Sequence, residues 1–369
     1  MENKAMKIKH FSTVLLPGQG TGHPGVLRHW QHLLAGSGAI VLLICLLILP
    51  ARACDYCLLT QGISPLETSR GIGLRLDQRY TRLGTLFDNG RKIDNAGALE
   101  THWTTQFTLF YSLTPRLTVL GVVPFARRFQ EGEEHHHEEG GQATGSGLGS
   151  LNKGFPAARL LDSGSGANGT SFGLSDISLL LRYQVLQTHT LQSTFLLSLQ
   201  GGLRIPTGKT DARNGEGEVL DAHIQPGTGA FSYLFGASTN YVWKRIGVTA
   251  NALYSVNTRG EVGDHRYEFG NAFNYDGSFR YRLTNAIQAP VKLFASLGVA
   301  GEYRGKEKLD NLTLDDTGGH TLYLAPGVQL FYRQLVFEFS FWQAIYHDLN
   351  GEQLGESFKT FGGLTLLIR

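Results

Sequence analysis

Tyr267 to Leu283 reads YEFGNAFNYDGSFRYRL, and its alternation decides the fold. One face carries Phe269, Phe273, Tyr275, Phe279, Tyr281 and Leu283, interrupted by Asn271 and Gly277. The other carries Gly270, Ala272, Asn274, Asp276, Ser278, Arg280 and Arg282. A repeat of two is the signature of a strand, because successive side chains point to opposite faces of a pleated backbone. Aromatics on one face and polar groups on the other fit a strand with lipid outside and water inside.

The same alternation recurs on either side of this stretch. Val291, Leu293, Ala295, Leu297, Val299 and Tyr303 oppose Lys292, Ser296, Glu302 and Arg304. Leu335, Phe337, Phe339 and Phe341 oppose Glu338 and Ser340, while Ile72, Leu74, Leu76 and Tyr80 oppose Arg75, Asp77 and Arg79. Strands are predicted at 71–81, 101–112, 117–129, 173–185, 191–205, 228–243, 246–258, 268–283, 291–304, 320–333, 335–347 and 358–368. Short connections (113–116, 187–190, 244–245, 284–290, 333–334) alternate with long ones at 82–100, 130–172, 206–227, 259–267, 305–319 and 348–357. This asymmetry, with an even strand number, predicts an all-β, antiparallel, up-and-down transmembrane barrel of about 12 strands with both termini on the periplasmic side. A secreted β-sandwich would alternate too, but without aromatics on so many outward faces.

Composition agrees. The 369 residues carry 47 glycines, 11% aromatics and only 17% charged residues, against roughly 25% in soluble domains. A formal charge of +2 argues against nucleic acid as a partner. The mean hydropathy of −0.12 is too low for a bundle of membrane helices but suits alternating strands.

Ahead of the strands, Ala39 to Pro50 reads AIVLLICLLILP, with Lys4, Lys7, Lys9 and Arg28 before it and Ala51-Arg52-Ala53 after. That order is a charged region, an apolar core and a small-residue cleavage site, so residues 1–53 are expected to be a signal peptide. Cleavage there leaves Cys54 and Cys57 in a periplasmic or plug segment, 54–70, and the barrel at 71–369. A lone C-x-x-C without a following His is no haem site, and in an oxidising compartment it reads as a disulfide or two thiols.

Several further stretches carry the resemblance to a known family. They are Gly173-Leu174-Ser175-Asp176-Ile177-Ser178, Leu203-Arg204-Ile205-Pro206-Thr207-Gly208-Lys209-Thr210-Asp211, Gln225-Pro226-Gly227-Thr228-Gly229, and the turn Tyr111-Ser112-Leu113-Thr114-Pro115-Arg116-Leu117. In these the chain resembles outer-membrane β-barrel proteins usually labelled transporters, which include proteins linked to the meta-cleavage pathway of phenol degradation. The resemblance covers most of 71–369 and implies a barrel that passes or binds small molecules.

Gly202 to Thr210, GLRIPTGKT, is not a phosphate-binding loop. Leu203 stands where that motif needs glycine, and no helix follows to receive a phosphate. The stretch Glu131 to Glu139, EGEEHHHEE, gathers His135, His136 and His137, whose imidazoles suit divalent transition metals; the plainer reading is a solvated acidic loop. Arg75, Asp77, Arg79, Arg182, Arg204, Arg280, Arg282, Glu302, Arg304 and Glu338 fall on the predicted inner faces. There they either pair with one another or set the selectivity of a wet lumen.

The sequence thus predicts a passive pore or transporter for small solutes in the bacterial outer membrane. Its surroundings are outer-membrane lipid and lipopolysaccharide, with a periplasmic partner left open. No cofactor and no catalytic residues are expected. One alternative is a surface metal-binding barrel, or a redox or efflux partner, built on the His-rich loop and C-x-x-C. A second is an outer-membrane hydrolase using His347-Asp348 or Asp221 and His223, although no local triad signature is present.

Overall fold

The computed structural model describes residues 71–132, 168–285 and 290–368. The expected signal peptide, Cys54 and Cys57, and His135, His136 and His137 lie outside the described residues.

Twelve antiparallel strands form the wall: β1 (Ile72–Asp88), β2 (Leu99–Ser112), β3 (Leu117–Glu131), β4 (Ile177–His189), β5 (Ser193–Ile205), β6 (Ser232–Trp243), β7 (Ile246–Asn257), β8 (Ala272–Arg282), β9 (Val291–Arg304), β10 (Gly319–Tyr332), β11 (Leu335–Leu349) and β12 (Glu352–Ile368). Each pairs with its neighbours in sequence, and β12 returns to pair with β1 from Ile72↔Ile368 to Asp88↔Glu352. Closure matters physically. Lipid offers no hydrogen bonds, so an open sheet edge within the bilayer is excluded.

The predicted faces are those observed. Exposed Leu74, Phe107, Leu179, Phe279, Leu297 and Phe339 all point outward. Between them on the same strands, Arg75, Thr108, Ser178 and Glu302 are buried on the inside.

Where the boundaries differ from expectation, local turn chemistry explains it. The predicted long loop 348–357 is instead a two-residue turn, Asn350-Gly351, with strand on both sides. Gly351 has φ +56°, a left-handed conformation that glycine adopts without steric cost. The predicted loop 82–100 shortens likewise. β1 runs on to Asp88, past a bulge between Arg82 and Thr85, and meets a short strand at Arg91–Lys92. The single strand expected at 173–185 is broken at Ser175-Asp176: Gly169–Leu174 and Ile177–His189 pair successively with β3. Two long connections carry structure of their own, since Gly260–Val262, His265–Glu268, Glu307–Leu309 and Leu312–Leu314 form a four-stranded sheet.

Two apolar clusters occupy the inner face. Phe110, Leu120, Val122, Leu180, Leu234 and Leu253 form one on β2, β3, β4, β6 and β7. Ala300, Tyr323, Trp342 and Phe361 form the other on β9 to β12. The interior is therefore not uniformly polar.

Candidate functional site

Charged groups collect at two levels of the lumen. Nearer the end with the short turns, Arg75 Nε contacts Asp77 Oδ1 at 2.7 Å and its Nη1 contacts Glu338 Oε2 at 2.5 Å. Gln329 donates to Glu338, and Arg280 Nη1 donates to Gln329 Oε1 at 2.9 Å. This chain of contacts lines a cavity of about 150 Å³, with Trp342 and Phe361 on its wall.

Nearer the end with the long loops, Lys359 Nζ lies 2.6 Å from both Glu302 Oε1 and Glu356 Oε2. Arg304 lies 3.6 Å from the same two carboxylates, and the Tyr323 hydroxyl donates to Glu356. Lys359 is fully buried. A buried ammonium persists only when opposite charges and hydrogen bonds replace its water.

Of the remaining inner-face arginines singled out in the sequence, Arg182 reaches Gln200 Oε1 at 3.5 Å. Arg204 is buried on β5, opposite Ser178 and Ser232 in register. Arg282 ends β8, and Arg79 lies buried on β1.

Above the upper level, residues 206–231 fold over the mouth. Three of the four stretches quoted for the family resemblance, 173–178, 203–211 and 225–229, converge at the base of this strap. Asp176 Oδ1 accepts from the Gly208 N–H at 3.0 Å, and Oδ2 accepts from the Thr228 N–H at 2.9 Å and hydroxyl at 2.6 Å. Ser175 Oγ donates to the Pro226 carbonyl at 2.5 Å, and Thr207 Oγ1 donates to the Ser175 carbonyl at 3.0 Å. The two arms of the strap touch so closely that a Cβ on Gly208 would stand 2.6 Å from the Gly227 Cα. Glycine is therefore a steric requirement there.

The strap then spans the opening. Arg128 Nη1 on β3 donates to the His223 carbonyl at 2.6 Å, and Ser171 Oγ donates to that of Ile224. The His223 ring points the other way, with Nε2 3.0 Å from Glu307 beyond β9. Tyr267 donates to the same carboxylate. Strands three and nine of twelve are opposite walls, so His223 joins the two sides of the mouth. The charge of Glu307 pushes the His223 imidazole up to about 10, against the opposing effect of burial. Burial works against the Glu307 carboxylate, but His223 and Tyr267 outweigh it and hold its pKa below the ordinary value. The strap's latch is thus an imidazolium–carboxylate pair at neutral pH.

The candidate hydrolytic pairs have other engagements. Asp221 accepts the His223 backbone N–H at 2.7 Å, not its ring. His347 Nε2 meets the Glu356 carbonyl at 2.9 Å, and its ring packs on Phe87. Among the described residues no group of His, Cys, Asp and Glu has the arrangement of a metal site.

The sequence reading singled out neither Lys359, Glu356 and Glu307 nor the latch role of His223. Lys359 sits in phase with Phe361 and Gly363 on a predicted strand, a signal that alternation could have shown. Glu356 fell in a predicted loop.

Residues 129–357 match the family described as "Putative MetA-pathway of phenol degradation", more than half of the chain. No curated protein matches significantly. Among solved structures, the chain is similar to an outer membrane channel from Pseudomonas putida: 15% identity over 83% of this chain and 100% of that one, TM-score 0.59. The CymD monoaromatic hydrocarbon channel aligns at 11% identity, over 83% of this chain and 92% of that one, with TM-score 0.35. At 15% identity the likeness to the Pseudomonas putida channel is one of fold.

Proposed function

This chain belongs to the family described as putative MetA-pathway of phenol degradation, and on that premise we propose that it is a passive channel for small solutes. It is a bacterial outer-membrane β-barrel. Its solute enters past the strap, meets the Lys359–Glu302–Glu356 level, passes the lower cavity and leaves at the end with the short turns. Nothing in this path requires an energy source, because the charges are fixed on the wall.

The observation that carries the reading is the closed wall with an apolar outside and a lumen whose charges are held in place by neighbours on other strands. Arg75 and Glu338 are 263 residues apart in sequence yet in contact. Such a lining presents fixed donors and acceptors to a passing solute. Eight strands are filled by their own side chains, whereas sixteen leave an aqueous channel; twelve lies between, which fits a narrow path.

Single-channel recording of the refolded barrel in planar bilayers tests this. Discrete, small conductance steps are expected. A folded barrel that conducts no ions and admits no small sugars into liposomes overturns the proposal.

A further inference from the structure

The smallest inward-facing residues of the wall stand side by side on four neighbouring strands. They are Ser278 on β8, Ser296 and Gly298 on β9, Ala325 and Gly327 on β10, and Ser340 on β11. In register, Ser278 faces Gly298, Gly298 faces Ala325, and Gly327 lies between Ser296 and Ser340. A Cβ on Gly327 would stand 2.8 Å from the Ser296 Oγ and 3.1 Å from the Ser340 Cβ, so glycine there lets the two serines close up. Small side chains in a row recess the wall. All of them but Gly327 line the lumen cavity of about 150 Å³.

The side of this recess is polar and already arranged. Asn251 Nδ2 on β7 donates to Asp276 Oδ2 on β8 at 2.9 Å, and the Thr249 and Ser278 hydroxyls are 2.7 Å apart. These pairs are successive inward rungs of the β7–β8 ladder. On the next rung Arg280 faces Gly247, and its Nη1 reaches across to Gln329 Oε1 at 2.9 Å. Thr249, Asn251, Asp276, Ser278 and Arg280 are all half-buried and all line the cavity, so they present surface to a solute. The charges on the described lining are two guanidiniums, Arg75 and Arg280, and three carboxylates, Asp77, Asp276 and Glu338. Arg75 is shared between Asp77 and Glu338.

We infer that this recess is a binding site for a small neutral polyol. The inference rests on the channel reading and names a class of solute for it. A cavity of this size takes one benzene-sized molecule, which for a polyol means about three to five hydroxylated carbons. Each such carbon carries a group that both donates and accepts. The rungs answer in kind: the hydroxyls do both, the Asp276 carboxylate accepts, the Arg280 guanidinium donates, and the Asn251 amide does each with a different atom. An anion meets three carboxylates and an organic cation meets two guanidiniums. A bare hydrocarbon would cover these polar groups without replacing their hydrogen bonds, which is unfavourable.

Equilibrium dialysis of the refolded protein against labelled xylitol tests this. The control competitor is triethylene glycol, a neutral ether of similar mass with hydroxyls only at its ends. Xylitol is expected to bind saturably, and triethylene glycol to compete at least about tenfold less well, the scale of one or two good hydrogen bonds. D276N should weaken xylitol binding about tenfold and T249V severalfold. Both substitutions keep the side-chain volume, so both barrels are expected to fold, as a heat-modifiable gel shift reads; should D276N not fold, T249V decides alone. Absence of saturable xylitol binding overturns the site. Equal competition by triethylene glycol, or unchanged affinity in the folded variants, overturns it as well. Displacement of xylitol by equimolar choline or benzoate would assign the recess to a charged solute and overturn the neutral class. Conductance of the same wild-type preparation reads the channel separately: a conducting barrel that ignores xylitol loses only the site, and a silent barrel that binds xylitol loses only the channel.

Discussion

Asp176 accepts three hydrogen bonds from two arms of the strap. Bonds to a charged group are each worth about 1.5–3 kcal/mol when buried. D176A is therefore expected to free residues 206–231 while leaving the wall closed; limited proteolysis should cut the strap at least about tenfold faster, with the barrel's heat-modifiable gel shift intact. His223 adds a pH dependence. Its pKa is raised in the folded chain to about 10, so its contribution is complete below the free imidazole value and is lost as pH rises through 10. Glu307, held below its ordinary value, contributes above that value and loses its contribution as pH falls through the lowered one. Strap protection should therefore be flat between the ordinary values of the two groups, 4.5 for Glu307 and 6.5 for His223, and fall on both sides, and H223Q should remove the alkaline fall. Lys359 makes a third case. K359M removes the buried ammonium between Glu302 and Glu356 and leaves them the more distant Arg304, 3.6 Å from each, and about 3–5 kcal/mol of barrel stability should go. Denaturant unfolding in lipid vesicles reads it, and K359M/E356Q should recover part of the loss.

Each wall strand divides its side chains between two solvents, and adjacent positions respond in opposite ways. Leu297 and Ser296 are neighbours on β9; the first is exposed on the outside and the second lines the lumen cavity. L297R should cost about 2–4 kcal/mol, the range for arginine on the lipid face near the bilayer centre. S296R should leave folding nearly unchanged and shift ion selectivity toward anions. Equal destabilisation by both would contradict the assigned faces. The hairpin at Asn350-Gly351 belongs to the same scale. Asn-Gly between alternating segments is a strong short-range hairpin signal, and it was legible in the sequence. The expected loop at 348–357 arose because Gly351, Gly355 and the charges around them look like loop composition when alternation is not followed through. The break at Ser175-Asp176 was not read from the sequence: Ser175 still donates its N–H to the Pro124 carbonyl of β3, but Pro124 has no N–H to return, and the two arms of the strap bond to Ser175 and Asp176 beside it.

The molecule as a whole is a closed wall with a strap across one mouth. The strap's contacts with β3 on one side and with Glu307 on the other place it across the path of any solute. Replacing residues 212–224 by a short Gly-Ser linker should raise single-channel conductance while leaving the barrel folded. Unchanged conductance would put the narrowest point lower, at the Lys359 level or at the cavity beside Arg75. That outcome would also make lumen substitutions more effective than strap ones in altering selectivity.

The sequence by itself determined the wall. Period-two alternation is local, each strand repeats it, and lipid on one side and water on the other enforce it at every position. It also placed Arg75, Asp77, Arg280, Glu302 and Glu338 on one face. It could not say which of them meet, because barrel closure brings together residues from opposite ends of the chain. Arg75 finds Glu338 only once β1 and β12 have paired. Lys359 finds Glu302 across three strands, and His223 finds Glu307 across the mouth. The sequence stretches that carried the family resemblance were visible as text, but their purpose was not. Only the folded chain shows that three of them are the two arms and the anchor of one strap, tied at the buried Asp176 carboxylate, which accepts from residues 32 and 52 positions away.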